Sequence, residues 1–359
     1  QNRNDYSFDK YLSPYAIGDF ATSAIEAQRY IDDKAFADKK GNLGTNLASA
    51  TIQIYMTVPI VNANHEFGHG FRIKEAGGRV EKYEFGFLSG RTYSKFNRKT
   101  HIHENASIKM GGMQASNIFA NKIRDRYFED NKVNSVYGIA YLWSSLDQIN
   151  YAYITKDKDE NNSSGNDITA YKKAINTLYG DDNYISVKKI RKFTNFDLID
   201  PFLFYSLFHN RVNTKIPMLS YGDFGYLPAM KASFTPYGPE RRYINYFKFQ
   251  DKFFTLTYNY GHNTQFKTRG LSLRAHNIFK NDKLSLGFEI ATWRQPKLLT
   301  EKPLEEKVKK GGMLMLDGKM QVSERFSLLL SAGYKSHGFV EGRPLKSGSI
   351  IRLGLNLRG

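Results

Sequence analysis

The feature that most constrains this chain is a strict two-residue alternation of apolar and polar side chains through its last 130 or so residues. Leu284, Leu286, Phe288 and Ile290 fall on one face of an extended segment, and Ser285, Gly287, Glu289 and Ala291 on the other. Phe326, Leu328, Leu330 and Ala332 oppose Ser327, Ser331 and Gly333, and Ile351, Leu353, Leu355 and Leu357 oppose Arg352, Gly354 and Asn356. A period of two is the signature of a strand with chemically different faces, and it excludes a helix over the same residues.

Eight such strands are expected, near 229–235, 242–249, 252–260, 268–278, 283–293, 312–322, 325–335 and 349–357. Short polar turns at Gln250-Asp251-Lys252, Lys280-Asn281-Asp282 and Ser323-Glu324-Arg325 alternate with longer connections at 261–267, 294–311 and 336–348. Eight strands of roughly ten residues, with short turns on one side and long loops on the other, fit a transmembrane barrel whose tight turns face the periplasm. The polar face carries Arg269 or Arg274, His276, Glu289, Asp317, Lys319 and Arg352 among Gly and Ser, as a narrow barrel's interior requires. A soluble antiparallel barrel or sandwich uses the same alternation with its apolar face turned inward, and such a domain would bind an apolar ligand.

Ahead of about Pro228 the apolar period is three to four. Helices are expected over 13–32, 47–74, 105–128, 133–154 and 168–179, with a charged, Asn/Ser-rich, solvent-exposed loop at 156–165. The expected fold class is therefore α+β: an all-helical domain over 1–222 and an antiparallel, eight-stranded outer-membrane β-barrel over 223–359. With the tight turns in the periplasm, the first strand rises from that side and the helical domain is expected there. The chain opens on Gln1 with no positively charged, apolar leader, as a mature exported protein does.

Composition narrows the chemistry. There are no cysteines, so any metal must be held by His, Asp or Glu. The net charge of +17 is spread along the chain without a basic helix or an aromatic RNA-binding signature, which argues against nucleic acid as a partner. No run of about 18 apolar residues is present to form a membrane helix.

The residues that carry chemistry are His65-Glu66-Phe67-Gly68-His69. Two histidines four apart project from one helix face, one turn above the other, where they can grip a single Zn²⁺. Glu66 stands beside them as a candidate general base for hydrolysis. Gly68 and Gly70 are poor helix formers and point to close packing or ligand approach.

This segment resembles the site-2-protease-like zinc metalloproteases. The metal helix is followed in that family's register by Gly77, Val80, Tyr83, Gly86 and Phe87, and Gly111-Gly112-Met113-Gln114-Ala115-Ser116-Asn117 is similar to its Gly-Pro-x-x-Asn-like helix. The match covers roughly residues 45–150. Ile73 stands where the family has a small residue, the helices are less apolar, and no Leu-Asp-Gly motif appears. The resemblance thus implies the metal-helix architecture more than cleavage inside a membrane. It also implies a third ligand, an aspartate on a later helix, for which Asp147 is the first choice. Asp167, Asp197 and Asp200 compete with it, as does a nearer cluster of Glu104, His101 and His103. His209, His262, His276 and His337 read as structural or surface residues.

The segment from Gly338 to Leu357 resembles the ending of bacterial outer-membrane barrels, without their terminal Phe. The expected function is an outer-membrane-anchored zinc metallopeptidase, with outer-membrane lipid and a protein or peptide substrate as partners. The alternative is a non-catalytic barrel whose helical domain is a scaffold for other proteins of an envelope complex.

Overall fold

The computed structural model describes residues 3–36, 43–130, 135–155, 166–180, 184–207, 218–250, 252–261, 267–299 and 308–358. The expected loop at 156–165, and His209 and His262, lie outside these residues. The fold is α+β, with eight helices and a ten-stranded antiparallel sheet among the described residues.

A first strand, β1 (Arg3–Phe8), leads into α1 (Pro14–Phe36), whose first residue is a proline, preset for a helix start. The metal helix α2 (Leu43–Glu75) runs 33 residues, about 50 Å at 1.5 Å per residue. It stops where Gly77 takes a φ of +80°, a left-handed conformation open to glycine. Amides of Gly77 and Gly78 then bond the carbonyls of Lys74 and Ile73, closing the helix end. A hairpin follows, β2 (Arg79–Phe85) and β3 (Gly90–Lys95), and after it α3 (Ile102–Asp130), α4 (Ser135–Ser145), α5 (Asp147–Ile154), α6 (Asp167–Tyr179) and α7 (Val187–Thr194). A short 3-10 turn, Asn195–Leu198, and α8 (Pro201–Leu207) complete the series. The expectation that the first 222 residues are all helical is thus corrected by β1, β2, β3 and the three-residue β4 (Leu219–Tyr221). These strands are short, and β1 takes its partner, β12, from the other end of the chain, which local periodicity does not reveal.

The sheet continues with β5 (Phe224–Thr235), β6 (Gly238–Phe249), β7 (Lys252–Gly261), β8 (Thr268–Lys280), β9 (Leu284–Pro296), β10 (Val308–Gln321), β11 (Phe326–Lys335) and β12 (Gly348–Arg358). These eight correspond to the expected strands. They pair as successive neighbours, and the sheet is extended by β1 on β12 and by β4 on β5, giving the open order β1-β12-β11-β10-β9-β8-β7-β6-β5-β4.

The open order has a local cause. Beyond β4, the free edge of β5 is occupied by groups from the helical half. The amide of Met230 donates to Ile199 O at 3.2 Å and that of Ala232 to Asp197 Oδ1 at 2.6 Å. The carbonyls of Ala232 and Phe234 accept from Gln148 Nε2 and Gln114 Nε2, each at 3.2 Å. These four backbone groups are taken by the helical half and do not pair with another strand.

The two faces of the sheet differ as the alternation requires, but the apolar one faces out. Leu316, Ile351 and Leu353 are each 59% exposed, in rows with Leu314, Leu328, Leu330, Leu355 and Leu357. The polar face turns toward the helices. Arg274 pairs with Asp125 of α3 at 3.1 Å, and Arg352, which also reaches Asp317 of β10 at 3.5 Å, lies 5.6 Å from the Tyr15 ring of α1. Polar groups removed from water need such partners.

Two apolar clusters draw on both halves of the chain. One joins Ile25, Phe119, Tyr141 and Phe202 to Leu227, Ile244 and Tyr246; the other joins Met110, Tyr171 and Ile175 to Phe234, Tyr237 and Phe339. Beside the first, the fully buried Arg124 reaches Asp200 at 3.2 Å, and Lys231 of β5 reaches the same carboxylate at 3.3 Å. Helices and sheet therefore share their interior.

Candidate metal centre

The centre is built where α2 crosses α3. Glycines allow the approach: a Cβ on Gly68 would meet the Gly111 carbonyl and Ala115, and one on Gly112 would overlap the His65 ring. Gly68 thus lets the two helices approach, and Gly112 makes room for the His65 ring.

Each imidazole is tied through Nδ1. His69 Nδ1 donates to the Ile108 carbonyl at 2.6 Å, and His65 Nδ1 donates to Asp147 Oδ2 at 2.8 Å. Both acceptors lack a proton, so the neutral rings carry their proton on Nδ1 and present an Nε2 lone pair. Those Nε2 atoms lie 3.2 Å apart, and Asp167 Oδ2 sits 3.4 Å from one and 3.1 Å from the other. Three acceptors facing each other repel unless a proton or a cation lies between them. The donor set is that of a hard to borderline divalent cation, and bonds on the far side of both rings are how metal-binding histidines are held.

Of the sequence candidates among the described residues, His65, His69 and Asp167 form a group able to hold a metal, and both histidines are nearly buried. Asp147, the first choice for third ligand, sits on the opposite nitrogen of His65. Glu66 is buried beside the histidines, its Oε2 accepting from Thr92 Oγ1 of β3 at 2.6 Å. Gly90 presses its backbone against the Glu66 side chain, where a Cβ would collide. The Thr92 contact and the stacking of Tyr151 on His65, at 5.0 Å and 6°, were missed from sequence, because both come from segments brought in by tertiary packing.

The other candidates are engaged elsewhere. Glu104 pairs with Arg98 at 2.6 Å, and His103 Nδ1 accepts from the Leu299 amide at 3.2 Å. Burial, with His101 and His337 nearby, pushes the His103 pKa down to about 4. Burial pushes Asp197 up to about 6, where it caps β5, and Asp200 serves Arg124 and Lys231. His276 lies 4.0 Å from Asp125, on the sheet's polar face.

Electrostatics at the centre favour positive charge. Burial opposes protonation of His65, yet Asp147, Tyr151 and Asp167 raise its pKa well above the imidazole value of 6.5. Asp167 raises that of His69 likewise against burial, and the two histidines in turn hold the Asp167 carboxyl far below the usual range despite its own burial. A pKa raised in the fold gives stability that is complete below the unfolded value and is lost as pH rises through the folded one. Metal-free protein should therefore lose this contribution as pH rises above the ordinary imidazole value of 6.5 and through the raised folded values, whereas a metal needs the neutral rings and gains over the same range. The expected result is a Tm difference between zinc-loaded and metal-free protein that widens with pH in scanning calorimetry. A constant difference would show that these imidazoles do not exchange protons for metal.

Compared with known protein families, curated proteins and solved structures, the chain matches none.

Proposed function

We propose that this protein is a zinc metallopeptidase of the site-2-protease-like kind, embedded in the bacterial outer membrane by its strands. The observation that carries the enzyme reading is the convergence of His65 Nε2, His69 Nε2 and Asp167 Oδ2 while both Nδ1 atoms are tied back. Zinc in such a three-residue site supplies Lewis acidity toward a carbonyl and toward water. Asp147 and the Ile108 carbonyl fix the tautomer and aim of the two rings. Glu66, oriented by Thr92, takes a proton from attacking water on its carboxylate and returns it to the leaving amine. The neighbouring Tyr151 ring covers one face of His65 and limits water there. The test is metal content by mass spectrometry: about one zinc per chain in the wild type and none in His65→Ala. Wild type without zinc after reconstitution would sink the enzyme reading and favour the scaffold.

The membrane reading rests on the outward apolar rows. Strands β7 to β12 run 10 to 14 residues, enough to cross a hydrocarbon layer that needs roughly 9–11 when tilted. We propose a barrel-like wall of these strands around α1 and α3, its seam filled by helices and by the β1 extension. Leu316, in the middle of β10, is the probe. Leu316→Arg should lower unfolding stability in a bilayer by about 2–4 kcal/mol, whereas on a water-facing sheet the change stays within about 0.5 kcal/mol. An effect of the smaller size would remove lipid as the partner of this face.

A further inference from the structure

We infer that the metal centre lies at the external face of the outer membrane, so that its substrates are polypeptides outside the cell; this rests on the metallopeptidase and membrane readings above. The sequence pattern had suggested a helical domain below the wall, on the side of the tight turns. The contacts place the catalytic end of that domain at the other rim.

Among the described residues, the strand connections that touch the metal-bearing end of the helices lie at one rim of the sheet. Arg72, three residues past His69, donates through Nη1 to the Arg343 carbonyl at 2.9 Å, and Glu75 accepts from the Leu345 amide, both in the connection between β11 and β12. His103, at the start of α3, accepts from Leu299, just past β9. Tyr171 and Tyr179 of α6, the helix that begins with Asp167, donate to the carbonyls of Thr235 and Tyr237 at the turn between β5 and β6, at 2.9 and 2.5 Å.

The opposite rim carries the tight turns after β6, β8 and β10, and the helix segments there are remote in sequence from the metal ligands. Phe128, near the end of α3, stacks on Phe253 at 4.0 Å, next to the turn between β6 and β7. Arg126 pairs with Asp5, whose register partner is Asn356, two residues from the end of β12. Helix α3 therefore runs along the polar face of the sheet from the rim of long connections to the rim of tight turns, and the metal centre sits near its starting end, over Ile108 to Gly112.

In outer-membrane barrels the tight turns face the periplasm and the long connections the exterior. The rim that holds His65, His69 and Asp167 carries the three long connections, after β7, β9 and β11, together with the short β5–β6 turn, whereas the other rim carries short turns alone, so the centre lies on the outer side. Peptide bonds in secreted or surface-displayed polypeptides are then within its reach, and soluble periplasmic ones are not.

The absence of cysteine makes the test clean. The full chain, exported in a Gram-negative host, carries a single cysteine in turn at exposed positions: Ser347→Cys or Lys173→Cys near the metal centre, Asp282→Cys or Glu324→Cys at the tight turns. A membrane-impermeant maleimide is applied to intact and to permeabilised cells. The expected result is labelling of the first pair in intact cells and of the second pair only after permeabilisation. The reverse pattern overturns the inference and returns the centre to the periplasm while leaving the wall intact. Equal labelling of all four in intact cells, or of none before permeabilisation, overturns the spanning reading itself. Zinc content of the same four proteins reads the metallopeptidase proposal separately.

Discussion

Glu66→Gln is expected to keep about one zinc per chain and to lose about 10²–10⁴-fold in kcat, the range for removal of a general base. The amide has the shape of the carboxylate and can still accept from Thr92 Oγ1, which lies 2.6 Å from Oε2 in the native protein. What it cannot do is take a proton from water. Glu66 is 4% exposed and hemmed by the backbone at Gly90, so a solvent base has poor access to stand in for it. The measurement is steady-state turnover of a fluorogenic peptide by wild type and variant at matched zinc content. Unchanged kcat would take Glu66 out of the chemistry, even with the metal in place.

The second large effect separates two aspartates. Asp167→Ala removes an oxygen facing both Nε2 atoms and should weaken zinc binding by more than the change at Asp147. Asp147→Asn leaves all three facing atoms in place and disturbs only the bond that aims His65, a kind of change that costs about 10–100-fold in affinity. Competition with a zinc-sensitive chelator dye measures both. If Asp147→Asn were the more damaging, Asp147 would be the direct ligand and the His65 ring would be turned over in solution.

The histidine pair and its glutamate could be read from the sequence because spacing of four on a helix is a local fact: His65 and His69 face the same way wherever α2 goes. The third member of the cluster could not. Asp147 and Asp167 each open a helix, α5 and α6, and both come near His65; which of them reaches Nε2 depends on how those helices pack on α3. The strands β5 to β12 were legible for a similar reason, since alternation is written within each. Their outer boundary was not, because Arg3 to Phe8 is six residues of mixed character whose partners, Arg358 to Leu353, lie at the other end of the chain. Gly68 and Gly70 stood out as an anomaly of propensity; the crossing of α2 over α3 supplies the reason for Gly68, and the Tyr83 ring of β2 the reason for Gly70.

The helix-capped edge of β5 bears on how this protein is made. A closed barrel can complete its wall by joining its first strand to its last, but here Met230, Ala232 and Phe234 obtain their partners from Ile199, Asp197, Gln148 and Gln114. In hydrocarbon each of those backbone groups, left bare, costs several kcal/mol. On the proposed membrane reading, the sheet cannot mature ahead of the helices that cap it: insertion and assembly of the candidate metal centre become a single event, and a chain whose helices are misfolded leaves that edge bare.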